Sequence, residues 1–83
     1  MHTTYIIRSV KSGKYYIGHT NNVIRRLERH NRGMVTATKN KGPWEIVYTS
    51  IFKSKAEANS WEVNIKSKKS SKYIEKLLDQ SNW

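Results

Sequence analysis

The sequence predicts one mixed α/β (α+β) domain: a small three-stranded, mainly antiparallel sheet flanked by helices, in the order β-β-α-β-α-α. Three observations predict it. Two β-branched and aromatic runs, "TTYIIRSV" and "KYYIGHT", flank the turn sequence "KSGK". A third run of that kind, "WEIVYTSIF", comes much later. Between and after these runs the apolar residues recur at helical rather than alternating intervals.

Ser12 and Gly13 suit a two-residue hairpin turn, which would set Ser9 opposite Tyr16 and Tyr5 opposite Thr20. Residues on one face of a ladder alternate along each strand, so Tyr5, Tyr16 and Gly18 then share a face. A glycine inside a strand marks a place where something comes close to the backbone. From Asn22 the period becomes helical, with Thr20 to Asn22 as cap candidates and Gly33 as the stop. At ~100° per residue, Val23, Ile24 and Leu27 form the buried stripe. Arg25, Arg29 and Arg32 point away from it, while Arg26 and His30 lie one turn apart along its edge.

"MVTATKNKGP" reads as a loop closed by Pro43. In the third strand, alternation puts Trp44, Ile46, Tyr48 and Phe52 on one face and Val47 and Ile51 on the other. Ser54 and Glu57 form a capping box that opens a second helix, running to about Lys68. After the break "SKKSSK", Lys72 to Gln80 reads as a short third helix whose apolar side is Tyr73, Ile74, Leu77 and Leu78.

The 83 residues suit a single domain, 1–83, with no linker or internal repeat. A chain this short buries only about 60% of its unfolded surface. With 36% hydrophobic residues, its core must be thin and must draw on the three Trp, five Tyr and one Phe. Sixteen Lys and Arg against six Asp and Glu give a formal charge of +10, which attracts polyanions from a distance. Nucleic acid is the first partner to consider, and a merely solubilising surface is the plain alternative. The absence of cysteine excludes disulfides, thiol catalysis and cysteine zinc ligation. His2, His19 and His30 lack the spacing of a zinc helix motif. No segment approaches the ~20 apolar residues of a membrane span, and the N-terminal apolar run is too short for a signal peptide. No membrane partner is therefore expected, and the expected location is cytoplasmic.

Two charged residues ask for partners. Arg26, at a buried edge, needs an anion, and the chain has few to offer. Glu62 lies at the margin of the stripe Ala58, Trp61 and Ile65 on the second helix, where an unpaired carboxylate is costly. Arginine, lysine or a metal ion would each satisfy it.

This combination resembles the GIY-YIG nuclease superfamily. Its signature is two short tyrosine-bearing strands, a helix with arginine and often histidine, and a later helix with a metal-binding glutamate. Tyr5 and Ile6 of "TYII" stand where the family has GIY, although Thr4 precedes them and the tripeptide is not kept literally. Tyr16-Ile17-Gly18 keeps YIG intact, Arg26 and His30 fall at the helix positions, and Glu62 in "WEVNIK" matches the later glutamate. The likeness is greatest to the small stand-alone bacterial branch, akin to the nuclease domain of excision-repair endonucleases but without appended DNA-binding domains.

The resemblance implies a metal-dependent endonuclease acting on nucleic acid, DNA before RNA, in a setting such as DNA repair, with an activating protein partner as one option. By the same resemblance Tyr5 is the general base and Tyr16 orients water or phosphate. Arg26 stabilises the scissile phosphate, His30 supports the tyrosines, and Glu62 holds one divalent cation, Mg²⁺ or Mn²⁺. Gly18, Arg25, Arg29, Lys39, Lys41, Lys66, Lys68, Lys69 and Lys72 would position a nucleic-acid backbone without reading its bases. The competing expectation is a catalytically inactive nucleic-acid-binding module on the same fold. Packing alone requires none of Arg26, His30 and Glu62, which argues against it.

Overall fold

The computed structural model describes residues 1–68 and 71–80. The elements are β1 (His2–Ser9), β2 (Tyr15–Thr20), α1 (Val23–Asn31), β3 (Trp44–Phe52), α2 (Lys55–Ser67) and α3 (Ser71–Gln80). A single 3₁₀ turn, Thr36–Thr38, interrupts the connection between α1 and β3. Strand β1 lies between β2 and β3 and runs antiparallel to both. The predicted order and fold class hold.

The hairpin closes differently from the expected two-residue turn. Ser9 pairs with Lys14 through Ser9 N–H donating to the Lys14 carbonyl at 2.8 Å, and Gly13, at φ +75°, donates to the Ser9 carbonyl at 2.9 Å. Serine hydroxyls hold the wider loop: Ser9 Oγ accepts from Ser12 N–H and Ser12 Oγ accepts from Lys14 N–H. Tyr5 consequently faces Gly18, and Ile7 faces Tyr16. The register differs from the expected one by an even number of residues, so the facing of every side chain is preserved. Tyr5, Tyr16 and Gly18 do share a face.

Strand β3 departs from simple alternation. Ile6 pairs with Tyr48 but Ile7 pairs with Ile46, so Val47 is an extra residue in a bulge. Trp44 and Ile46 therefore join the Tyr5 face, while Tyr48 and Phe52 turn to the Ile6 face; the expected single face is split. Each half has its own cover. Tyr5, Ile7 and Trp44 pack with Tyr16, Val23, Leu27 and Ile46 beneath α1. On the opposite face Ile6, Ile17, Ile65 and Ile74 pack beneath α2 and α3, with Tyr48 and Trp61 stacked at 5.6 Å.

Helix α1 starts where Asn22 Oδ1 accepts from Arg25 N–H at 3.1 Å. It ends where Gly33 and Met34 N–H donate to the His30 and Arg29 carbonyls, with Gly33 at φ +75°. Ile24 is 63% exposed, contrary to its expected burial. The sheet-facing positions of so short a helix are Val23, Leu27 and His30, and Ile24 lies a full ~100° off that line. A histidine thus takes the place of a core residue. Helix α2 begins at Ser54, whose Oγ accepts from Glu57 N–H at 3.2 Å. Among the described residues, no helix is long and apolar enough to cross a membrane.

Candidate active site

Tyr5 stands at the middle of β1, the central strand, and is 1% exposed. Its ring crosses β2 at Gly18, where a Cβ would come within 2.5 Å of the phenolic oxygen. The close approach expected at this glycine is made by Tyr5, from within the chain. The phenolic oxygen meets His30 Nε2 at 2.9 Å and accepts from Arg26 Nε at 3.4 Å. His30, also 1% exposed, reaches Thr38 Oγ1 through Nδ1 at 2.7 Å. Its ring meets that of Tyr16 edge-on, with centroids 5.0 Å apart.

Thr38 is carried to His30 by the loop after α1. Asn31 clamps the start of β3, accepting from Trp44 N–H at 2.7 Å and donating to the Trp44 carbonyl at 3.2 Å. The Trp44 indole donates to the Thr38 carbonyl at 3.3 Å, which holds the 3₁₀ turn against the core. The Thr38 hydroxyl donates to the Val35 carbonyl at 3.4 Å. That use of its proton assigns the rest: His30 donates through Nδ1 to Thr38 Oγ1, and His30 Nε2 accepts the Tyr5 proton.

The electrostatics agree with this order of protons. Burial pushes the Tyr5 phenol above its ordinary pKa, and the hydrogen bond and charge of Arg26 oppose the shift without reversing it. Burial, aided by the charge of Arg26, lowers His30 to about 4. Both groups are neutral near pH 7. Arg26 is held all the more firmly protonated, first by its hydrogen bond to Tyr5, while burial acts against this. It also senses the Tyr16 hydroxyl, so one guanidinium serves both tyrosines.

Glu62 comes from α2 on the other side of the sheet and reaches the β2 edge. Its side chain is 14% exposed; the carboxylate pairs with Lys66 Nζ at 3.0 Å, and His19 Nε2 lies 4.0 Å from its other oxygen. Lys66 Nζ also stands 5.8 Å from the centre of the Tyr16 ring, which links Glu62 to the tyrosine cluster. The negative charge of Glu62 is near enough to contribute to the raised pKa of Tyr5. Lys66 is half-exposed, so its ammonium can turn to solvent when another cation takes its place beside Glu62.

Among the described residues, no three His, Cys, Asp or Glu side chains form a metal-binding group. One carboxylate at a partly open edge fits a hard ion that keeps most of its waters and takes further oxygens from a phosphate. The donor set therefore suits Mg²⁺ or Mn²⁺ at Glu62 and does not suit a fully protein-ligated structural ion.

Tyr5, Tyr16, Arg26 and His30 converge, with Glu62 at their margin. Arg25, Arg29, Lys39, Lys41, Lys66, Lys68 and Lys72 are exposed, and Lys69 lies outside the described residues. The periodicity separated Arg26 correctly from its neighbours, for it is half-buried where Arg25, Arg29 and Arg32 are exposed. Sequence reasoning missed Thr38 and Asn31, which lie in or beside irregular backbone without a periodic signal. It also missed the contact of His2 with His19, 2.8 Å between ring nitrogens, which only the pairing of β1 with β2 creates.

Residues 1–74 match the family model described as the GIY-YIG catalytic domain. The chain is 39% identical over 66 residues to a UPF0213 protein of Halalkalibacterium halodurans, covering 78% of this chain and 69% of that one. A UPF0213 protein of Clostridium perfringens is 39% identical over 67 residues, with 80% and 71% covered. The solution NMR structure of a UPF0213 protein from Bacillus halodurans is similar with a TM-score of 0.60 and 35% identity, covering 95% of this chain and 83% of that one. With the domain match spanning most of its length and a solved relative sharing its fold, the chain belongs to the GIY-YIG catalytic domain family and has a nuclease-type fold.

Proposed function

We propose that this protein is a metal-dependent endonuclease that hydrolyses phosphodiester bonds in nucleic acid, DNA in preference to RNA. The observation that carries the reading is the sharing of the Tyr5 hydroxyl between His30 Nε2 and Arg26 Nε. Tyr5 acts as the general base. A phenol is a poor base while protonated, and here its proton already has an acceptor in His30, whose ring Thr38 holds. The low pKa of His30 keeps that proton on Tyr5 in the free protein. Added positive charge beside the phenol shifts the balance toward phenolate.

Arg26 offers its remaining N–H donors to a phosphate and stabilises the charge that develops on the non-bridging oxygens. Tyr16, partly exposed, orients the phosphate or the attacking water. Glu62 would hold the Mg²⁺ or Mn²⁺ ion, which when bound supplies Lewis-acid charge at the phosphate. Lys66 exchanges its bond to Glu62 for one to the nucleic-acid backbone. The exposed arginines and lysines position the strand through phosphates and leave base sequence unread.

The test is cleavage of labelled single-stranded, duplex, flap and branched DNA and RNA, with Mg²⁺, Mn²⁺ or chelator, by wild type and Glu62→Ala. Cation-dependent cleavage lost in the variant is the expected result. Equal, salt-sensitive binding by both proteins with no cleavage of any substrate would instead indicate a binding module.

A further inference from the structure

We propose that His19 is a second protein ligand of the divalent cation, beside Glu62, with His2 as the positioning residue that holds its ring. The site would then prefer a first-row transition ion such as Mn²⁺ to Mg²⁺. The inference rests on the reading of Glu62 as the cation's carboxylate.

Three relationships carry it. His19 Nε2 and Glu62 Oε1 face one another at 4.0 Å, with side chains only 18% and 14% exposed. That separation is too long for a hydrogen bond between them. Two donors on one small cation, each about 2.1 Å from it, stand about 3.0–3.5 Å apart. Glu62 can close the difference by side-chain rotation once Lys66 lets go.

The second relationship is at the far side of the ring, where His19 Nδ1 lies 2.8 Å from His2 Nε2. An imidazole that binds metal through Nε2 carries its proton on Nδ1 and needs an acceptor for it, and such partners orient the ligand. His2 is placed to accept that proton, and its ring packs at 4.8 Å against that of His19.

The third is topological. His19 follows Gly18 on β2, so its side chain alternates to the opposite face from Tyr5 and Tyr16, the face that α2 covers. Glu62 arrives at the same edge from α2, and Lys66 spans from Glu62 to Tyr16. A cation between His19 and Glu62 is thus one side chain away from the tyrosine cluster. Carboxylate and water suit Mg²⁺, and an added imidazole moves the preference toward transition ions.

The experiment measures Mn²⁺ affinity by the paramagnetic resonance of the free ion, and Mg²⁺ by competition, for wild type, His19→Ala, His2→Ala and Glu62→Ala. Ring ¹⁵N spectra follow which histidine Mn²⁺ broadens. His19→Ala is expected to lower Mn²⁺ affinity about tenfold or more, with Mg²⁺ changed much less, and His2→Ala to lie between it and wild type. His19→Gln replaces the alanine variant if amide spectra show that the latter fails to fold. An unchanged Mn²⁺-to-Mg²⁺ ratio in a folded His19 variant, while Glu62→Ala loses both ions, overturns this inference and leaves the carboxylate reading standing. Mn²⁺ retained by Glu62→Ala, or bound nowhere by wild type, overturns both.

Discussion

The phenol of Tyr5 lies across the bare α-carbon of Gly18, so that a Cβ on Gly18 would stand 2.5 Å from the hydroxyl oxygen and 2.7 Å from Cζ. The ring is buried and its hydroxyl is bonded to His30 and Arg26, so it cannot swing aside freely. Gly18→Ala should therefore displace Tyr5, destabilise the fold by about 1–3 kcal/mol and abolish cleavage. Denaturant unfolding and the substrate panel check this. An alanine variant with native stability and activity would refute the account of Gly18.

Tyr5→Phe and Tyr16→Phe should differ in kind. Removing the Tyr5 hydroxyl leaves the buried His30 Nε2 without its partner, at a cost of about 1–3 kcal/mol, and removes the proposed base. Tyr16 is partly exposed, and Arg26, which senses its hydroxyl, keeps Tyr5 as a partner, so loss of the Tyr16 hydroxyl should lower cleavage while leaving stability within about 0.5 kcal/mol. Paired thermal melts and single-turnover rates decide the matter, and equal melting losses would contradict the asymmetry.

Acid should unfold this protein through His30. Its pKa falls from an ordinary value of about 6.5 to about 4 in the fold. Between those values the unfolded chain binds more protons than the native one, so stability is complete above pH 6.5 and drains away as pH falls toward 4. The loss attributable to this group is roughly 3 kcal/mol. Urea unfolding at several pH values, comparing wild type with His30→Asn, should show the extra slope in wild type alone.

Thr38→Val keeps the shape of the side chain and deletes the acceptor for His30 Nδ1–H. It should destabilise by about 1–3 kcal/mol and let the imidazole change tautomer, which ring ¹⁵N shifts report directly. A variant whose His30 retains the Nδ1–H form would show that Thr38 does not set it.

Glu62→Gln should separate chemistry from stability. The amide keeps the size of the carboxylate and an oxygen that can accept from half-exposed Lys66, so stability should change by about 1 kcal/mol or less while metal-dependent cleavage disappears. Binding to an oligonucleotide should persist or tighten, since a negative charge is removed from a chain of formal charge +10. Fluorescence anisotropy at two salt concentrations measures it.

Local patterning alone determined a good deal here. The hairpin's alternation put Tyr5, Tyr16 and Gly18 on one face, a conclusion that survived a mistaken turn because the register changed by an even number. Helical periodicity set Arg26 apart from Arg25 and placed Glu62 at a buried margin, because a period of 3.6 residues is a property of the chain itself. Other features existed only once distant segments met. The bulge at Val47 redistributes Trp44, Ile46, Tyr48 and Phe52 between two faces, and it arises from pairing with β1. Thr38 reaches His30 only because Asn31 and Trp44 pin an aperiodic loop, and His2 meets His19 only across the β1–β2 ladder. Periodicity reports the facing of a residue within its own element, whereas a hydrogen bond between elements depends on register and loop path, which the packed chain decides.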